Sequence, residues 1–154
     1  MLVLRGPKAL HDHAGQELGV SGWVRITQAE VDAFADLTHD HQWIHVDVER
    51  ARASAFGTTI VHGYFTLSLA PRLQDEIYRV DGFGFGLNYG LNRVRFPAPL
   101  PVGDRVRLRV TLEAVQEVPG GLQCTITDTF ERDGGGKPVC VAEMIFRMYE
   151  PEEG

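Results

Sequence analysis

Between Thr59 and Leu73 the sequence runs Thr-Ile-Val-His-Gly-Tyr-Phe-Thr-Leu-Ser-Leu-Ala-Pro-Arg-Leu, a stretch apolar on nearly every side when wound as a helix. A helix without a polar face has to be buried, in lipid or inside a protein core. No apolar run in the chain approaches the roughly 20 residues that a membrane span needs, so other parts of the chain are expected to enclose this helix. Pro71 should kink or end it, with Arg72 to Tyr78 continuing as a second segment.

The enclosing material follows in sequence. Val106, Leu108, Val110 and Leu112 alternate with Arg105, Arg107, Arg109 and Thr111, the period of a strand with one apolar and one wet face. Pro119-Gly120-Gly121 turns the chain, and Leu122, Cys124, Ile126 and Phe130 then alternate with Gln123, Thr125, Thr127 and Thr129. Asp133 and three glycines supply another turn before a strand from Val139 to Tyr149, and Phe83 to Phe96 reads as a further strand ending at Pro97 and Pro99. An antiparallel sheet around one buried helix is an α+β architecture. With 154 residues the chain can bury roughly two thirds of its unfolded surface. It shows no repeat and no linker, and residues 1–154 are read as one domain.

Upstream, Thr27-Gln28-Ala29-Glu30 is a capping box that should start a helix ending near Thr38. Ile26 and Val31 stand where a hydrophobic staple would, and Val31, Phe34, Ala35 and Leu37 form its expected apolar stripe. His39 to Val46 has no regular period and is expected to be an ordered loop, after which Asp47 caps a short turn through Arg52. His11-Asp12-His13 reads as an exposed N-terminal loop. The formal charge of -6 offers no positive field for phosphate backbones, which argues against nucleic acid as a partner. Cys124 and Cys140 lie in alternating apolar stretches and suit a reduced compartment, and with no export signal or membrane span the chain is read as cytoplasmic.

The densest chemistry is His39-Asp40-His41-Gln42-Trp43-Ile44-His45, followed by His62-Gly63 at the start of the apolar helix. Histidine titrates nearest neutrality, and a carboxylate beside it can share a water, so an acid/base pair is possible. The same residues also suit a solvated loop that caps the preceding helix. His39, His41 and His45 have a spacing that can ligate zinc, but no cysteine or matching carboxylate set accompanies them, and no metal is assigned. Gly82-Phe83-Gly84-Phe85-Gly86 lacks the strand-before, helix-after context of a phosphate loop.

From Leu37 to Ser68 the sequence resembles the MaoC-like dehydratases and (R)-specific enoyl-CoA hydratases. Their signature is Asp, a free position, Asn-Pro, an aliphatic residue and His, then Ile-Val-His-Gly opening a buried helix. Asp40 and His45 stand at the Asp and His positions, and Ile60-Val61-His62-Gly63 reproduces the second block. Arg95-Phe96-Pro97-Ala98-Pro99 and Val102-Gly103-Asp104 look like the family's later strand and turn. Gln42 and Trp43 replace Asn and Pro, so packing of Trp43 must fix the loop. This variant resembles a subgroup that includes mycobacterial hydratases and nodulation-protein-like members.

The resemblance implies a hot-dog fold, usually a homodimer, and reversible addition of water to trans-2-enoyl-CoA to give (R)-3-hydroxyacyl-CoA. It implies Asp40 and His45 as the acid/base pair, with Gly63 offering a backbone N–H to the developing enolate oxygen. Ser68 would occupy the place of a serine that hydrogen-bonds the Asp, although a helical serine can instead bond its own backbone. Gln42 and His62 are supporting or substrate-contacting candidates, His62 equally suiting a helix-start histidine bonded to backbone. No redox cofactor is implied, since coenzyme A enters as part of the substrate. A hot-dog acyl-CoA thioesterase and a non-catalytic acyl-binding domain are the alternatives. Acyl chain length, and coenzyme A versus an acyl carrier protein, stay open.

Overall fold

A computed structural model describes residues 1–151. In chain order the elements are β1 (Leu2–Arg5), α1 (Gly6–His13), β2 (Gln16–Val20), β3 (Val24–Arg25), α2 (Gln28–Thr38), α3 (Trp43–Val46), α4 (Val48–Arg52), α5 (Gly63–Ser68), α6 (Ala70–Ile77), β4 (Tyr78–Asp81), β5 (Phe85–Arg95), β6 (Arg105–Val118), β7 (Gly121–Arg132) and β8 (Cys140–Tyr149). The large sheet has the order β2-β6-β7-β8-β5, with β3 also on β6, and all its pairings are antiparallel.

The alternation that predicted strands decides which face meets the helix. Val106, Leu108, Val110 and Leu112 of β6, and Leu122, Cys124, Ile126 and Phe130 of β7, are buried against Leu69, Ala70, Leu73 and Ile77 of the helical layer. The intervening arginines stay on the wet face. Arg107 and Arg109 both bond Glu131, Arg109 also reaches Glu17, and Arg105 pairs with Asp133.

The Pro119-Gly120 hairpin delivers Gly121 to the start of β7, between Val118 and Tyr149. A side chain there would overlap the Met148 carbonyl oxygen, so the β7/β8 pair would have to part. Gly121→Ala is expected to lower unfolding free energy by about 2 to 3 kcal/mol. Urea denaturation with an unchanged midpoint would show that the sheet yields there freely.

Five expectations need correction. The central helix is two, because Leu69 ends α5 and Pro71 falls in the first turn of α6, where its missing N–H is harmless. It is also not enclosed on all sides, since Tyr64 is 74% exposed and Ser68 faces outward. Leu37 is 80% exposed and off the α2 stripe, which consists of Val31, Ala35 and the half-buried Phe34. His11-Asp12-His13 closes helix α1 and is not loop, with Pro7 in its first turn and His13 Nδ1 2.7 Å from Ala9 O. Within the expected loop 39–46, Trp43–Val46 forms a helical turn.

Candidate active site

The capping box at Thr27 forms as the sequence predicts: the Thr27 hydroxyl accepts from the Glu30 N–H, and the Glu30 carboxylate accepts from the Thr27 N–H at 2.8 Å. Helix α2 ends at His39, whose φ of 59° is the one positive value at a non-glycine among the described residues. That left-handed turn closes the helix just ahead of Asp40. The following stretch is tied to the strand-like segment before α5, because the Ile60 N–H donates to Ile44 O at 2.9 Å.

Three ionisable side chains from the two sequence blocks meet there. The ligand-type atoms of Asp40, His45 and His62 all lie within 4.8 Å of one another. His45 and His62 are stacked, with ring centroids 3.8 Å apart and planes inclined by 23°, and both are buried, while Asp40 is exposed. His45 Nδ1 is 2.7 Å from Ile60 O. A carbonyl oxygen only accepts, so Nδ1 carries the proton and Nε2 keeps its lone pair. By the same logic His62 Nε2, 3.0 Å from Asp40 O, donates and holds the Asp40 backbone in place.

Burial, and then the neighbouring His62, hold the His45 imidazole below its ordinary value of 6.5, against the opposing pull of the Ile60 bond and of Asp40. At neutral pH the ring is therefore neutral and able to accept a proton. Its NMR titration midpoint is expected below 6.5; a midpoint above that value would contradict the burial argument.

Gly63 opens α5 beside this pair, where first-turn amides lack intrahelical partners. A Cβ at Gly63 would lie 3.0 Å from three ring carbons of Phe96, so a larger residue would require that ring to shift. His45, Gly63, Thr66, Phe96 and Leu100 line a cavity of about 250 Å³.

The other candidates fall elsewhere. The Ser68 hydroxyl donates to Phe65 O at 2.7 Å, the helical self-bond that was one of its two readings. Gln42 is exposed and its backbone N–H approaches Asp40 Oδ1 at 3.4 Å. Trp43 is half-buried, with the Arg50 guanidinium 4.3 Å above its ring. The His39, His41 and His45 spacing does not assemble as a ligand set: His41 turns to Asp36 at 2.8 Å, and the trio able to offer ligands is Asp40, His45 and His62.

Sequence reasoning missed Gln28. Its Nε2 donates to His45 O at 2.8 Å and its Oε1 accepts from buried Thr59 at 2.6 Å, clamping the two blocks together. Gln28 carried no signal beyond its place in a capping box. Phe96 was quoted only as part of a strand motif.

An antiparallel sheet wrapped on a central helix, with an Asp/His pair at that helix's first turn, defines a hot-dog protein of the thioester-handling kind. The chain belongs to the MaoC-like family: the model of the MaoC like domain matches residues 10–131. It is 57% identical over 135 residues to the 3-hydroxyacyl-thioester dehydratase Z of Mycobacterium tuberculosis, covering 87% of this chain and 89% of that protein. It is 43% identical to nodulation protein N of Rhizobium leguminosarum bv. viciae, covering 85% and 83%. Among solved structures it superposes on the (R)-hydratase from A. caviae involved in PHA biosynthesis with a TM-score of 0.71 at 28% identity, covering 86% and 94%.

Proposed function

We propose that this chain is a hydro-lyase that adds water to trans-2-enoyl thioesters to give (R)-3-hydroxyacyl thioesters, or runs the reverse dehydration. The observation that carries the reading is a buried His45, its Nδ1 committed to Ile60 O, grouped with the Asp40 carboxylate so that their ligand-type atoms lie within 4.8 Å, beside the first-turn amide of Gly63. A water held between Asp40 and His45 loses a proton to the pair as its oxygen attacks C3. The electron pair moves onto the thioester oxygen, where the Gly63 N–H and the start of the helix meet the developing negative charge. The proton taken from water is returned to C2, and the enolate collapses to the thioester. Nothing is oxidised or reduced overall, so no redox cofactor is needed, and coenzyme A enters as part of the substrate. The relative at 57% identity, named as a 3-hydroxyacyl-thioester dehydratase, supports this chemistry.

Crotonyl-CoA tests it directly. Loss of the conjugated enoyl absorbance with no free thiol released is the expected result. Release of a thiol would identify a thioesterase, and binding without turnover an acyl-binding domain.

The working form is a homodimer. Strand β5 ends the sheet, and Phe85, Leu87, Tyr89 and Leu91 along it are exposed large apolar side chains on an edge with unpaired backbone groups. A second copy would cover them under the commonest closed symmetry. Light scattering should give twice the 17.1 kDa chain mass, and dilution should lose mass and activity together. A fully active monomer would contradict the pairing. No helix among the described residues is long and apolar enough to cross a membrane, and the buried free thiols of Cys124 and Cys140 suit the reducing cytoplasm.

A further inference from the structure

One buried ionisable group has no part in the chemistry above. Asp128 lies on β7 with no exposed surface, facing the helical layer. Its Oδ2 accepts from Gln74 Nε2 at 2.8 Å, and its Oδ1 has no partner among the described residues. The second hydrogen of that amide faces Met144, with Sδ 3.9 Å from Nε2. Because Asp128 Oδ2 accepts from the Gln74 NH₂, it holds that NH₂ toward itself and turns the amide oxygen the other way.

The other way is a cavity. Gln74 lines a space of about 400 Å³ together with Pro71, Tyr78, Asn88, Phe146 and Met148. Asp128 is not among the residues lining it. That space adjoins a second one of about 370 Å³, bounded by Leu67, Ser68, Met144 and Leu91, and the two share Pro71 and Asn88. Leu67, Pro71 and Gln74, which line them, follow Gly63 at the three- and four-residue spacing of one helix face. Leu69 joins α5 to α6 in right-handed helical geometry, and Gln74 lies on α6, one helix beyond Gly63. The nearer space is mainly apolar, and the farther one has Gln74, Tyr78 and Asn88 among its lining residues. Burial and the Asp128 charge push the Tyr78 phenol well above its usual range, so it stays protonated and able to donate.

Resting on the hydro-lyase reading, we infer that the acyl groove ends in a hydrogen-bonding chamber, where Gln74, oriented by Asp128, accepts a hydrogen bond from a hydroxyl carried toward the far end of the acyl chain. The preferred substrates are then enoyl thioesters whose acyl group bears a distal hydroxyl. The Tyr78 phenol and the Asn88 amide line the same chamber and offer that hydroxyl oxygen a donor. An unsubstituted alkyl end arriving there would leave the Gln74 oxygen without a partner and displace its water, a discrimination that a hydrogen-bonding pocket makes far more strongly than an apolar one.

The test uses trans-2-enoyl-CoAs of one chain length, either plain or carrying a hydroxyl at successive positions toward the ω end, assayed at pH 8. The wild-type protein is expected to show kcat/KM about 10- to 100-fold higher for at least one hydroxylated member than for the plain chain. Gln74→Leu and Gln74→Met should erase or reverse that ratio while hydration of the plain chain persists, which also reports that the variants are folded. A wild-type preference for the plain chain, or a ratio unmoved in whichever of these variants retains plain-chain activity, overturns the inference but leaves the hydro-lyase reading standing. Failure to hydrate any member of the set defeats the hydro-lyase reading itself.

Discussion

Asp40→Asn and His45→Gln each lower the rate of enoyl-thioester hydration by about 10² to 10⁴, the usual contribution of a positioned acid or base. The amide keeps the size of the Asp40 side chain but cannot take a proton from water. Gln at 45 can reach toward Ile60 O yet has no lone pair of imidazole basicity to set beside Asp40. In the proposed mechanism both groups act on one water, so the double variant is expected to be little slower than the worse single one. Circular dichroism should show both singles folded, and near-wild-type turnover in either would remove that residue from the mechanism.

Asp128→Asn is expected to stabilise the protein at neutral and alkaline pH. Burial pushes the Asp128 carboxyl up to about 7 from an ordinary 3.8, against the lowering pull of Gln74. The sign follows from proton linkage. Below about pH 4 the group is protonated in both the folded and unfolded chains and makes no difference. Between that point and pH 7 the unfolded chain ionises freely while the folded chain resists, so stability falls as pH rises, and it levels off above 7. Three pH units correspond to a loss of up to about 4 kcal/mol, which the neutral amide avoids. Urea midpoints at pH 5 and pH 8 measure it: the gap between variant and wild type should widen with pH, and a constant gap would show that ionisation of Asp128 does not set its cost. Retaining a carboxylate so unfavourable to folding is consistent with its use in orienting Gln74.

Where the chain declares a period or a cap, its structure is legible in advance. Thr27 and Glu30 form the predicted box, and β6 and β7 bury the predicted residues, because these features depend on neighbours in sequence. The meeting of His62 with Asp40 and His45 was legible only through resemblance, since no local rule brings residue 62 against residue 45. What stayed hidden depends on distant partners. β1 is only four residues long and acquires its structure by lying parallel to β4. Gln28 becomes part of the site through Thr59 and the His45 carbonyl, neither of which lies near it in sequence. The exposed flank of α5 was misjudged because an apolar side chain reads alike whether it meets its own core or a second molecule.

The β1/β4 pair also has a consequence for the order in which the molecule is made. Leu4, fully buried, lies on β1, yet its partner Val80 is translated only after both central helices. Until then that strand has no ladder to join, and its apolar residues are open to chaperones or to stray contacts. Closing so long a loop is a slow, late event, so β1 waits on the helices before it can lock.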